Sequence, residues 1–111
     1  MAIRTKKYWT SARLGVYRAV QITHENLAEV VSYICRNGGI ATGHGERPEY
    51  KRPEYKRPAR IRIKQKTFGE NWSKNDWRVA LVGDFIVRDE NDNFFRVKKA
   101  DFLLNYAPAS K

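Results

Sequence analysis

Five apolar residues, Leu27, Val30, Val31, Ile34 and Cys35, recur at i, i+3, i+4, i+7 and i+8. That spacing places them on one stripe of an α-helix, and such a stripe has to be buried against another apolar surface. Thr23 is a suitable N-cap, so the pattern predicts a long helix over about residues 24–37. Glu25 stands at the favourable end of its dipole and Arg36 at the other. Asn37-Gly38-Gly39 ends it, because glycine enters the left-handed C′ conformation without a steric penalty.

The segments around the helix alternate with the period of strands. Residues 15–22 put Val16, Val20 and Ile22 on one face and Tyr17 and Ala19 on the other. A short strand is expected at 40–42, and from residue 59 the cations Arg60, Arg62, Lys64 and Lys66 alternate with Ile61, Ile63 and Gln65. This second pattern describes a half-buried strand with one cationic face. Residues 69–75 read as a polar loop around Trp72, and Trp77, Val79 and Leu81 as a further strand broken by Gly83-Asp84. Residues 85–88 and 94–97 flank the acidic tip 89–93 as a hairpin. Residues 101–106 read as a short final helix stopped by Pro108. The expected fold is α+β, a small and mostly antiparallel sheet of about five strands with one long helix, a short C-terminal helix and a basic proline-rich arm. At 111 residues the chain reads as a single domain, with the arm inserted at 46–58.

The arm is a tandem repeat. Arg47-Pro48-Glu49-Tyr50-Lys51 is followed by Arg52-Pro53-Glu54-Tyr55-Lys56 and then by Arg57-Pro58. Residues 47–66 hold nine Lys or Arg and two Glu, a local charge of 9 − 2 = +7 within a chain total of +10. Arg4, Lys6, Lys7 and Arg13 supply another +4, so the remainder sums to −1. Charge concentrated in this way points to an anionic partner. Lys51, Arg52, Lys56, Arg57, Arg60, Arg62, Lys64 and Lys66 are the candidate phosphate contacts, and Tyr50 and Tyr55 the candidate stacking residues. A five-residue period leaves the two copies on different faces of a strand, a polyproline II helix or an α-helix, so an irregular arm is expected.

Other chemistry is poorly represented. His24, His44 and Cys35 make no zinc set without carboxylate help, and Cys35 falls on the helix stripe, which assigns it to the core. Asp89, Asn91 and Asn93 alternate like a calcium loop but lack its turn glycine and distal glutamate. Gly38 and Gly43 have P-loop spacing without the Lys-Ser/Thr that follows. Glu25, Glu29, Asp84 and Asp101 each have an ordinary surface or turn explanation, and Ser32 and Ser73 have no evident base. No catalytic residue, metal or cofactor is expected, and the chain is not expected to be an enzyme. One cysteine excludes an internal disulfide and suits a reducing cytosol. The longest apolar run, residues 79–82, is far below membrane-spanning length, and a secretory signal is not expected.

Two segments resemble a family of small proteins of tailed phages and prophages that has no agreed function. One is the strand-to-helix unit Tyr17-Arg18-Ala19-Val20-Gln21-Ile22-Thr23-His24-Glu25-Asn26-Leu27-Ala28-Glu29-Val30. The other joins Val82-Gly83-Asp84-Phe85-Ile86-Val87 to Asn93-Phe94-Phe95-Arg96-Val97-Lys98, ending in Phe102 and Tyr106. This chain has Lys99 where the family typically has proline, and Asn and Asp where its hairpin tip tends to have glycine. The resemblance implies a phage origin and a cytoplasmic role in an infected bacterium, and no reaction. The repeat lies outside the matched segments.

The expectation that follows is a small non-enzymatic phage accessory protein that binds DNA or RNA, mainly by its backbone, through the basic arm and strand. The alternatives are a host-takeover or anti-defence protein that binds and inhibits a bacterial protein, and a virion or assembly component. No membrane partner is expected.

Overall fold

The computed structural model describes residues 5–10, 13–48, 51, 54, 56–64 and 77–108. Its elements, in chain order, are β1 (Lys6–Thr10), β2 (Arg13–Gln21), α1 (Leu27–Arg36), β3 (Ile40–His44), β4 (Arg47–Pro48), β5 (Lys56–Arg57), β6 (Arg60–Lys64), β7 (Trp77–Leu81), β8 (Phe85–Arg88), β9 (Phe94–Val97), α2 (Lys99–Asn105) and β10 (Tyr106–Pro108). The fold is α+β and every strand pair is antiparallel. The strands form a five-stranded sheet in the order β10-β1-β2-β8-β9, a three-stranded sheet β3-β6-β7 and a two-stranded ribbon β4-β5, where the sequence led us to expect a single sheet. The division falls at the break read at Gly83-Asp84. Gly83 adopts φ +101°, which glycine reaches without strain, and its N–H donates to the Ile22 carbonyl at 2.8 Å. The Ile22 N–H donates to the Asp84 carbonyl at 2.9 Å, so the chain leaves β7 of one sheet and enters β8 beside β2 of the other. Strands β1 and β10 were not anticipated. They are short, and β1 lies in a stretch whose basic residues obscure its alternation.

α1 has ten residues instead of about fourteen. The Thr23 N–H donates to Asn26 Oδ1 at 2.8 Å and the Asn26 N–H to Thr23 Oγ1 at 3.1 Å, while Asn26 Nδ2 reaches the Gln21 carbonyl at 2.8 Å. These bonds are the reciprocal pair of a capping box, so Thr23 makes the expected capping bond. Residues 24–26 form a turn, however, and the regular helix starts only after Asn26, whose side chain makes no cap bond of its own. The C-terminus is as expected. Gly38 takes φ +91°, its N–H donates to Cys35 O at 3.4 Å, and the Gly39 N–H to Ile34 O at 2.9 Å, which is a Schellman arrangement. Cys35 is exposed, against the expectation of a core position, with its Sγ 3.6 Å from the Ala41 carbonyl. The buried centre of the stripe is Val30 and Ile34, and at about 100° per residue Cys35 lies roughly 120° from that centre. α2 begins at Lys99, two residues earlier than expected, and Tyr106 belongs to β10.

Two apolar clusters form the core. The first joins Val20, Ile86 and Phe94 of the larger sheet, and Ile22 just after β2, to Val30 and Ile34 of α1 and to Ala41, Ile61, Ile63 and Ala80 of the smaller sheet. The second gathers Tyr17, Ala19, Phe85 and Val87 on the other face of the larger sheet beneath Phe102 of α2. Of the two faces read from residues 15–22, Val20 and Ile22 on one and Tyr17 and Ala19 on the other are buried, while Val16 is exposed. Phe102 is stacked between Phe85 (ring centroids 3.8 Å) and Tyr106 (4.8 Å), which holds α2 on the sheet. The β8-β9 tip is fixed by Asp89, whose Oδ1 accepts the N–H groups of Asn91 and Asn93, both at 2.9 Å. Arg88 ties this tip to α1 by donating to Tyr33 Oη at 3.1 Å and pairing with Asp92 at 2.7 Å. The Tyr33 hydrogen bond first, and then Asp92, outweigh burial and hold the Arg88 guanidinium protonated above the ordinary arginine range.

The arm is more regular than expected. Ile40 pairs with Lys64 in the β3-β6 ladder and Arg47 with Arg57 in the β4-β5 ladder, and both pairs of residue numbers total 104. The ribbon therefore continues the β3-β6 hairpin in the same register, interrupted around Pro58, which has no N–H to give a ladder. Antiparallel pairing brings the two ends of the repeat together, which a single-element period could not reveal. Between the paired Pro48 and Lys56 lie seven residues, 49–55.

Two outcomes test this description. Ile34→Ala should cost about 2–5 kcal/mol in urea unfolding, and Cys35→Ser should change stability by less than about 0.5 kcal/mol. Removing one repeat (residues 47–51) would leave the same paired residue types but a two-residue Glu-Tyr tip, which lacks the Gly, Asn or Asp that such tips require. Amide exchange should then show β4-β5 pairing lost and β3-β6 protection kept. Adding a copy should cost only about 0.5 kcal/mol of loop-closure entropy and leave both ladders intact.

Candidate nucleic-acid interface

β6 is the central strand of the smaller sheet, and its alternation separates two roles. Ile61 and Ile63 are 0% exposed in the first core cluster. Arg60, Arg62 and Lys64 therefore point to the opposite, outer face, in steps of about 6.6 Å along the strand. On one side of this row the register places His44, Thr42 and Ile40 of β3; on the other it places Leu81, Val79 and Trp77 of β7. None of these nine residues is acidic.

The outer face thus consists of parallel rows of different chemistry. The central row is cationic, with Arg62 exposed and Arg60 and Lys64 half-buried. The β7 row is apolar, with Val79 45% and Leu81 41% exposed beside half-buried Trp77. On the β3 row Ile40 is 46% exposed, and Thr42 Oγ1 lies 3.3 Å from His44 Nε2. The Arg62 guanidinium sits 5.1 Å from the Trp77 ring centroid, a diagonal cross-strand contact across the two rows. At the Lys64 end, a polar cleft of about 280 Å³ opens between the α1 terminus at Gly38 and the hairpin tip at Asp92.

The ribbon carries more positive charge away from this face. Lys56 and Arg57 of β5 are exposed, as is Lys51. Lys56 Nζ lies 4.0 Å from Glu46 Oε1, and both side chains are more than half exposed, so the pair restrains Lys56 only weakly. Of the expected contact residues, the structure brings Arg60, Arg62 and Lys64 into one row and puts Lys51, Lys56 and Arg57 on the arm. Tyr50, Arg52, Tyr55 and Lys66 lie outside the described residues, as does the loop around Trp72 and Ser73. Of the N-terminal cations, Lys6 and Lys7 do not join this face: they stand exposed on β1 of the larger sheet, Lys7 opposite Arg18.

Trp77, Val79, Leu81 and Ile40 were not anticipated as site residues. Their alternation was legible as strands, but alternation does not say which face is covered, and in β7 the buried residue is Ala80. His44, read as a loop residue, lies in β3, which runs on to residue 44 and not only to 42. His24 is exposed in the turn before α1. Among the described residues, no three His, Cys, Asp or Glu side chains gather as metal ligands would. Glu25 and Asp101 are exposed, Glu29 is half-buried in the first turn of α1, and Asp84 Oδ2 accepts the Leu81 N–H at 3.0 Å. Among the described residues, no helix is long and apolar enough to cross a membrane. Comparison with protein-family models, curated proteins and solved structures finds no match to this chain.

Proposed function

We propose that this chain is a small, non-enzymatic nucleic-acid-binding protein of phage origin that engages its partner through the outer face of β6 and the basic ribbon. One observation carries the reading: burial of Ile61 and Ile63 fixes Arg60, Arg62 and Lys64 as a row of cations on a face whose nine residues include no acid. Phosphates are the ligands that such a row accommodates, since guanidinium groups donate to them in a planar, bidentate fashion. Lys56 and Arg57 extend the positive surface along the hairpin beyond the sheet. Contacts of this kind position the partner without reading its sequence, because they reach phosphates and not base edges.

The test is the salt dependence of binding. Replacing Lys56, Arg57 and Arg62 with Gln should reduce the slope of log affinity against log salt by about 2 to 3, with far-UV circular dichroism unchanged. Wild-type slope in that variant would sink the proposal.

A second reading has its own observation. Leu103 and Leu104 of α2 are 65% and 84% exposed, an apolar pair on a helix whose other face is anchored by Phe102. A host-takeover role through a bacterial protein partner would use such a pair. It predicts stoichiometric, nuclease-resistant co-purification of one host protein, lost in Leu103→Asp/Leu104→Asp.

A further inference from the structure

Beside the cation row runs a second row that phosphate binding does not use. Lys64 is opposite Trp77, Arg62 opposite Val79 and Arg60 opposite Leu81, with adjacent strands about 4.8 Å apart. Val79 and Leu81 are over two-fifths exposed, and no described element covers them. A duplex laid on a sheet face presents phosphates and sugars and keeps its bases stacked inside, so it would leave the β7 row against a charged, hydrated backbone. A single strand has both parts: a charged backbone and, a few ångströms away, unpaired bases with apolar faces. Its two components match the two rows in order and orientation.

We infer that the ligand is a single-stranded nucleic acid, with phosphates along Arg60, Arg62 and Lys64 and unpaired bases over Trp77, Val79 and Leu81. The inference rests on the nucleic-acid-binding reading and narrows its substrate class. Trp77 is the stacking residue. The Arg62 guanidinium lies 5.1 Å from its ring centroid, so a base stacked on the indole would have a cation for its phosphate close at hand. Recognition of this kind tolerates any base sequence, because every base has a π-face. Among the described residues β7 is the outer strand of the smaller sheet, and β9 of the larger sheet is the strand that comes near it.

The experiment is fluorescence anisotropy with labelled (dT)20, (rU)20 and a 20-base-pair duplex at one salt concentration. Wild type should bind at least one of the single strands more tightly than the duplex, and the two arms show whether it prefers DNA or RNA. Trp77→Ala should weaken single-strand binding about 5- to 100-fold and change duplex binding less than about 2-fold, while Trp77→Phe retains most of the preference. Val79→Ser with Leu81→Ser, at exposed positions that should not affect folding, should lower single-strand affinity in the same selective way. Equal affinity for single strand and duplex, or equal losses on both in Trp77→Ala, would overturn the inference and leave backbone binding standing. Failure of wild type to bind any of the three would overturn both.

Discussion

The burial of Ile61 and Ile63 is the constraint on which the rest of this structure depends. These two side chains join the first core cluster, where the smaller sheet meets α1 and the larger sheet. Because residues alternate along a strand, fixing them inward fixes Arg60, Arg62 and Lys64 outward. A shift of one residue in the β6 register would bury three cations and expose two isoleucines, at a cost no small core can absorb. Fold stability and placement of the charged row thus follow from the same contacts.

The larger sheet contributes differently. It is covered on both faces, by α1 on one and α2 on the other, so β8 is buried at three consecutive positions, Phe85, Ile86 and Val87. The two segments whose pattern led to the expectation of a phage family fall largely here and in α1. Phe102, Tyr106 and the hairpin tip are packing and turn features: Phe102 stacks on Phe85, and Asp89 accepts the backbone N–H groups of the tip. The acidic tip that alternates like a calcium loop uses its first carboxylate to close a turn. Those segments build the framework, and the charged face is carried by the smaller sheet beside it.

Much of this was legible in the chain because local rules and burial agree there. The stripe of α1, the Gly38 terminus, the alternation of β6 and the β8-β9 hairpin are set by neighbours in sequence, and the structure keeps them. What was missed depends on contacts made at a distance. Cys35 shares the helical spacing but lies off the axis set by Val30 and Ile34, which only the opposing sheet defines. The regular helix starts late because the Asn26 side chain also reaches back to the Gln21 carbonyl and keeps residues 24–26 in a turn. The outward direction of Trp77 could not be read from β7, where Ala80 is the inner residue and a small side chain gives little hydrophobic signal. The ribbon escaped because the repeat was read along one element, whereas its order comes from pairing across two.

That ribbon has a consequence for how the gene can change. Tandem repeats gain and lose whole units by slippage during copying, and each such event keeps the reading frame. Here the paired residues on either side of the tip hold places that recur with every copy, Arg47-Pro48 being the first two of a unit and Lys56-Arg57 the last of one unit and the first of the next. A gained unit is therefore absorbed in the tip, and the strands re-enter the sheet with the same residues in the same phase. The reach of the arm can vary between descendants of this chain in five-residue steps, while Arg60 and everything after it keep their places. Length of the arm and integrity of the body are separately heritable.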